Sequence, residues 1–363
     1  MDIARLQVRP GDDFATSRYL KHEKEETREP MIELRQKYLL FLGDVPTQLD
    51  AKTATGVAHW RRDWCVGQRR LPGCGADTGL PDMAIHEARG AGAATLVVGV
   101  APLGGRFPEA WVTEAVEALN CGLDIASGLH TRLASISEIA EAAAANGRQI
   151  YDIRHPTEEF ACATGDKRTG KRLLTVGTDT CVGKMFTTLA IVEEMRRRGM
   201  KVDFRATGQT GIFIAGSGIS VDAVVSDFVS GASELLSGAN DPDHWNVIEG
   251  QGSLFHPSYA GVSLGLLHGS QPDALVLCHE AGRKGIDGMS HRPLPSLEDC
   301  IELNLRTARL TNPEVRFVGV SLNTANLEAR LAAAVLEETS ARLDLPCIDP
   351  IRTGVGPIVD GLA

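Results

Sequence analysis

LLTVGTDTCVGKMFTTLAIVEEM, residues 173–195, is a short apolar run, a glycine-rich turn closed by a lysine, and a segment of helical periodicity. RLLTV leads into Gly177, Gly183 gives a second turn, Lys184 follows, and cationic residues gather where the helix ends. Strand, loop and helix in that order aim successive backbone N–H groups and a helix N-terminus at one spot, which makes an anion site. The pattern predicts a phosphate-binding P-loop over Gly177, Thr178, Asp179, Thr180, Cys181, Val182, Gly183, Lys184 and Met185. Five residues separate Gly177 from Gly183, one more than in G-x-x-x-x-G-K-[ST]. Met185 stands where a nucleotide-hydrolysing loop carries the hydroxyl that ligates Mg2+, and a thioether does not replace it. Thr187 or Thr188, one turn on, would have to stand in with poorer geometry. The loop suits holding a phosphate without breaking it, so no metal is expected.

The flanking sequence continues the alternation. KVDFRATGQTG, a helix through SVDAVVSDFVSGASELLSG (220–238), HWNVIEGQGSL, DALVLCHEAGRKG, EDCIELNLRTARLT, VRFVGVSLNT and a last helix before LPCIDPIRTG make one doubly wound α/β domain. Upstream, YLLFLG (38–43) suits a buried parallel strand, and residues 50–64 read as a helix. ATLVVG, EAWVTEAVEALNCG and LDIASGLH follow. SISEIAEAAAANG predicts a helix with a capping box of Ser135 and Glu138, stopped at Gly147. QIYDIR closes the set. This first domain is Rossmann-like in architecture but has no G-x-G-x-x-G after its first strand, so it is not read as a dinucleotide site. The expected organisation is a weakly ordered leader over 1–30, a Rossmann-like domain over 31–155, and a P-loop α/β domain over 156–363, with a polar, turn-rich boundary from His155.

Composition is that of a globular protein, 43% hydrophobic and 23% charged. A formal charge of -10 argues against nucleic acid or an anionic membrane as partner. No apolar run approaches the roughly 18 residues that a bilayer-spanning helix needs. The eight cysteines are scattered, without zinc spacing, which predicts reduced thiols in a cytoplasmic protein.

In a doubly wound sheet ligands collect at the carboxyl ends of the strands. Three further loops fall there. FRATGQTG supplies Arg205, Thr207, Gln209 and Thr210; NVIEGQGSLFHPSY supplies Glu249, then Gly250, Gln251, Gly252, His256 and Tyr259; LVLCHEAGRKG supplies His279, Glu280, Arg283 and Lys284. Glu249 is either a metal-linked carboxylate or a general base. An acid, histidines and cations beside a phosphate loop suit a small anionic substrate.

GTDTCVGKM resembles the GTDT-x-VGKT loop of dethiobiotin synthetases and their P-loop relatives, and VIEGQG resembles their acidic strand-end motif. A closer resemblance covers nearly the whole chain from Met31. YLLFLGDVPTQLDAKTATG, LDIASGLHTRL, VGTDTCVGKM, ATGQTG, DFVSGASE and VIEGQGSLFHPSYAGVSLGLLHGSQPDALVLCH are similar to a bacterial two-domain family long catalogued as of unknown function. Members of that family include D-glutamate N-acetyltransferases, which move acetyl from acetyl-CoA to the amine of D-glutamate in D-amino-acid catabolism. The resemblance implies a Rossmann-like domain, and a P-loop domain whose loop serves the phosphates of CoA rather than ATP.

Acyl transfer to an amine needs a base, donors for the oxyanion, and cations for the substrate carboxylates. Glu249 is the expected base, with His279 as second choice. Backbone N–H groups of Gly250 to Gly252, or the Gln209 side chain, are the oxyanion candidates. Lys52, Arg205 and Arg283 are the carboxylate candidates, and His256 joins the substrate-binding set. Two other functions remain open: a Mg-ATP-dependent ligase or kinase of the dethiobiotin synthetase kind, and a non-catalytic CoA or nucleotide sensor. A homo-oligomer is the expectation for an α/β enzyme of this kind.

Overall fold

YLLFLG is apolar or glycine at every position, and all six residues are buried as β1 (Tyr38–Gly43), with neighbours on both sides. The computed structural model describes residues 32–100, 105–156 and 159–362; the expected leader over 1–30 lies outside them. The chain from Met31 to Ala363 is one compact unit, holding two parallel sheets.

After β1 come α1 (Lys52–Trp60), β2 (Cys65–Arg70), α2 (Ile85–Gly90), β3 (Thr95–Val98), α3 (Val112–Asn120), β4 (Asp124–Ser127), α4 (Ser137–Asn146) and β5 (Ile150–Asp152). They form a five-stranded sheet of order β2-β1-β3-β4-β5. All of its pairings are parallel, with Leu39 opposite Leu96 and Val97 opposite Ala126. The helix expected over 50–64 is shorter: α1 ends at Trp60, and Arg62–Trp64 is a separate 3-10 turn.

The capping box expected at Ser135 is not made. The Ser135 hydroxyl donates instead to the carbonyl of Arg132, and α4 begins after Ile136 with no side-chain cap. Asp152, at the end of β5, takes the N–H groups of Leu133 and Ala134 at 2.7 and 2.9 Å. Asp152 thus holds the 3-10 turn Leu133–Ser135 that precedes α4, and the N–H of Ser135 goes to the Arg132 carbonyl. Gly147 does stop α4, at φ 58°.

The second series is β6 (Lys171–Gly177), α5 (Lys184–Arg197), β7 (Val202–Arg205), α6 (Gln209–Ala215), α7 (Val229–Leu236), β8 (Trp245–Ile248), α8 (Ala260–Ser270) and β9 (Ala274–Glu280). A hairpin of β10 (Gly285–Ile286) and β11 (Met289–Pro293) follows, then α9 (Leu297–Ala308), β12 (Arg316–Asn323), α10 (Ala329–Leu343), β13 (Cys347–Ile348) and α11 (Gly356–Asp360). Six of these strands make a parallel sheet of order β13-β12-β9-β6-β8-β7. The helix expected over 220–238 is broken. Val221–Ala223 and Ser226–Phe228 are 3-10 turns, Val224 and Val225 between them are extended, and only α7 is α-helical. Two adjacent β-branched residues favour that extended break.

The strands divide between Asp152 and Lys171, but the apolar cores do not. Ile212, Phe213 and Ile214 of α6 are buried in one cluster with Leu39 of β1 and Val57 of α1. α6 thus belongs by sequence to the second sheet and by packing to the first. Close backbone approach fixes other contacts. A β-carbon on Gly269 of α8 would overlap the Ser230 carbonyl of α7, whereas one on Gly261 of the same helix meets nothing within 4 Å. Gly269→Ala should therefore lower unfolding free energy by about 1–3 kcal/mol. Gly261→Ala should leave it unchanged or raise it by up to about 1 kcal/mol. Denaturant midpoints of the two variants check this; equal midpoints would remove the close-approach argument.

Candidate active site

The loop between β6 and α5 is shaped by residues that only small or left-handed backbone can satisfy. Gly183 has φ 99° and Cys181 φ 55°. A β-carbon on Gly177 would lie 3.0 Å from the Lys184 Nζ and 2.9 Å from the Asp179 carbonyl oxygen. Lys184 is buried, and its ammonium donates to that carbonyl at 2.7 Å. Burial holds its pKa below the usual lysine range. The Asp179 carboxylate is fully buried and faces the other way. It accepts from the N–H of Thr180 and of Asp287, both at 2.7 Å, and from Arg283 Nη1 at 3.0 Å. Asp179 therefore braces the loop against the β10–β11 turn. What remains for a ligand is a ring of N–H groups with an ammonium at its base, a fit for phosphate.

The hydroxyls after the lysine are not turned toward that ring. Met185 packs into the apolar cluster of the first sheet. Thr187 Oγ1 pairs with Ser321 Oγ at 2.8 Å. Thr188 Oγ1 donates to the Lys184 carbonyl at 2.8 Å and lies 2.9 Å from Thr175 Oγ1. Both threonines are buried, so neither stands in for the hydroxyl that Met185 lacks.

Glu249 follows the last residue of β8. Its Oε2 accepts from the N–H of Thr207 and Gly208 at 3.0 and 3.2 Å, so the β7–α6 loop holds the carboxylate. Gly211 completes the fit, because a β-carbon there would overlap that oxygen. Burial pushes the Glu249 carboxyl up to about 7, against the two amide bonds that pull it down. A carboxyl poised near neutrality inside a cavity is suited to taking a proton. The cavity has a volume of about 450 Å3 and is bordered by Glu249, Gly250, Gln251, Gly252, the loop from Thr180 to Phe186, Gln209, Lys52, Arg154 and Asp222. Among the oxyanion candidates, the Gly250 N–H is already given to Thr175 Oγ1 at 3.0 Å, which leaves the rest of that turn and Gln209.

Several residues expected to join Glu249 lie elsewhere. His279 and Arg283 border a second cavity of about 490 Å3, between the ends of β9 and β12 and helix α10. His279 Nδ1 is 2.9 Å from Thr178 Oγ1, and burial with the nearby Arg283 charge brings its pKa down to about 4. Arg205 turns away from the first cavity, toward Asn246 Oδ1 at 2.7 Å and Asp203 at 3.1 Å. His256 is buried against Tyr259, receiving the Ser258 N–H at 3.1 Å and facing the Asp287 carbonyl at 3.3 Å. The phosphate loop after β6 separates His279 and Arg283, past β9, from Glu249, past β8, whereas Arg205 on β7 is on the Glu249 side and is held by its own neighbours.

Arg154 and Asp222 are cavity residues that sequence reasoning missed. Arg154 sits just past β5, a strand end by the same rule that selected Glu249, but in a stretch read only as the close of the first domain. Asp222 lay in a segment read as helix.

Residues 159–359 match the family described as "Domain of unknown function (DUF1611_C) P-loop domain", and residues 67–156 match "Domain of unknown function (DUF1611_N) Rossmann-like domain". The chain is 51% identical over 326 residues to a protein named D-glutamate N-acetyltransferase from Tritonibacter scottomollicae, across 90% of this chain and 98% of that one. It is 47% identical over 331 residues to a protein of the same name from Pseudoalteromonas sp., across 91% of this chain and all of that one. A crystal structure of a DUF1611 family protein from Anabaena variabilis ATCC 29413 has a TM-score of 0.80 at 33% identity, over 90% of this chain and 99% of that chain. Among the described residues no helix is long and apolar enough to cross a membrane.

The elevated Glu249 carboxyl has a signature in stability. Below about pH 4.5 it is neutral in the folded and the unfolded chain; between about 4.5 and 7 only the unfolded chain ionises there, so the folded state loses stability as pH rises. Glu249→Gln keeps an acceptor for Thr207 and Gly208 but removes this loss. Urea midpoints from pH 4 to 8 should show the variant gaining on the native chain across that window; parallel curves would mean the carboxyl is not elevated.

Proposed function

The chain belongs to the DUF1611 family and, by its match over nine tenths of its length to two D-glutamate N-acetyltransferases, is an acyltransferase; we propose that it moves acetyl from acetyl-CoA to the amine of D-glutamate. The observation that carries this is a phosphate loop that opens beside Glu249 but has Met185 where a hydrolysing loop has its metal-binding hydroxyl. CoA brings a pyrophosphate and a 3′-phosphate, which call for amide donors and a cation but no phosphoryl transfer. Lys184 and the loop N–H groups would hold that end of the donor and present its thioester to the cavity.

The acceptor amine is mostly ammonium near neutral pH, so it must first give up a proton. Ionised Glu249 takes it. The freed nitrogen lone pair attacks the thioester carbonyl, the N–C bond forms, the C–S bond breaks, and the second amine proton leaves with the thiolate as the thiol. The turn after Glu249 and the Gln209 side chain are the donors available to the carbonyl oxygen. His279 is less suited as base, since a pKa brought down to about 4 makes it a weak proton acceptor, and it borders the other cavity. Family resemblance supports a place in D-amino-acid catabolism.

The ATP-dependent alternative requires the loop to ligate Mg2+ through a hydroxyl that Met185 lacks and that Thr187 and Thr188 spend internally. Calorimetry separates the two: acetyl-CoA should bind and Mg-ATP should not, whereas Mg-ATP binding without acetyl-CoA binding would overturn the proposal. Steady thiol release with D-glutamate would exclude a non-catalytic sensor. Glu249→Gln should lower kcat by about 10²–10⁴-fold with the acetyl-CoA Kd within about twofold. It should also abolish a limb of kcat/KM that rises through about pH 7 in the native enzyme. An unchanged kcat would take the base role away from Glu249.

A further inference from the structure

Two of the charges that border the Glu249 cavity are paired with each other. Arg154 Nη1 donates to Asp222 Oδ2 at 2.7 Å, one residue arriving from the end of β5 and the other from the Val221–Ala223 turn. Both side chains are partly exposed and both border the cavity. Among the described residues this is the only side-chain hydrogen bond of Arg154, which leaves Nε and Nη2 to offer a carboxylate. Asp222 likewise keeps Oδ1. The cavity wall therefore presents a positive and a negative group side by side, the mirror of the ammonium and carboxylate that share one carbon in every α-amino acid. Lys52, at the start of α1, is a third charge on the same cavity.

We propose that Arg154 binds the α-carboxylate and Asp222 the α-ammonium of the acceptor amino acid, and that Lys52 binds the side-chain carboxylate and so selects an acidic acceptor. This deepens the acetyltransferase reading and rests on it. Asp222 would hold the ammonium within the cavity where Glu249 waits, and its negative charge is among the causes that raise the Glu249 carboxyl. The proton then passes from the amine nitrogen to the Glu249 carboxylate.

The test uses the full chain with acetyl-CoA and three acceptors: D-glutamate, D-glutamine and D-norvaline. Arg154→Ala should raise KM for all three by about 30-fold or more, with KM for acetyl-CoA within about twofold. Arg154→Lys should recover part of that loss, because it restores charge without the bidentate fork. Lys52→Ala should raise KM for D-glutamate alone by about 10-fold or more, so that the preference over D-glutamine collapses. Asp222→Asn keeps an acceptor for Arg154 but drops the charge; it should raise KM for all three acceptors and move the rising limb of kcat/KM to lower pH. Unchanged acceptor KM in Arg154→Ala, or equal losses for acceptor and acetyl-CoA, would overturn the proposal. If that variant does not fold, Asp222→Asn decides by the same criteria. Absence of acetyl transfer in the unsubstituted chain would instead defeat the acetyltransferase reading itself.

Discussion

A buried ammonium sets the terms for everything around it. Lys184 is almost wholly withdrawn from water and is held by one short bond to the Asp179 carbonyl. Burying an unpaired charge is expensive, and the cost is met by a matched environment or by loss of the proton. Here the matching charges are the carboxylates of Asp179 and Glu249, both of which favour the charged form of Lys184. Asp179 is itself buried and must be balanced in turn by Arg283 and the Asp287 N–H. The β10–β11 hairpin, the phosphate loop and Glu249 are therefore one electrostatic unit. An anionic ligand on the loop would complete it.

Glu249 is the other pole of that unit. Its position depends on the β7–α6 loop, whose Thr207 and Gly208 N–H groups hold the carboxylate. α6, which follows at once, is anchored in the core of the first sheet through Ile212, Phe213 and Ile214. The Thr210 hydroxyl lies 3.2 Å from that of Thr53 on α1, the residue after Lys52. The first sheet thus supports the Glu249 carboxylate mechanically and brings Lys52 and Arg154 to the same cavity. Neither sheet builds the site alone.

What sequence could reveal follows from the range of the forces involved. The P-loop and β1 were legible because a glycine turn between apolar and periodic segments, or six apolar positions in a row, is a local signal. β2, CVGQRR, was not: it is a polar strand at the sheet edge, paired with β1 on one side and bridged only at Gln68 on the other. Ser135 and Glu138 had the right spacing for a cap, but Ser135 closes a 3-10 turn held by Asp152 from far along the chain, and α4 starts only after it. The strand-end rule found Glu249, His279 and Arg283 alike, because it ranks residues along the sheet edge and is blind to which side of the loop they fall on. Arg205 fails for a related reason, since Asn246 and Asp203 on neighbouring positions claim its guanidinium first.

Met185 does more than occupy the position where the P-loop motif has its hydroxyl. It packs into the first sheet's apolar cluster, and its Cε lies at contact distance, 3.7 Å, from where a β-carbon on Gly56 of α1 would stand. Phe186 beside it meets Trp60 and His59, with ring centroids 5.5 and 5.6 Å apart. The first turn of α5 is therefore a joint between the two sheets as well as the end of a phosphate site. A threonine at 185 would restore the hydrolytic motif in name but would remove most of the apolar volume that fills this joint, and a polar hydroxyl there would need a new partner. The side chain that stands at the motif's hydroxyl position thus packs α1, and with it Lys52, against the phosphate loop.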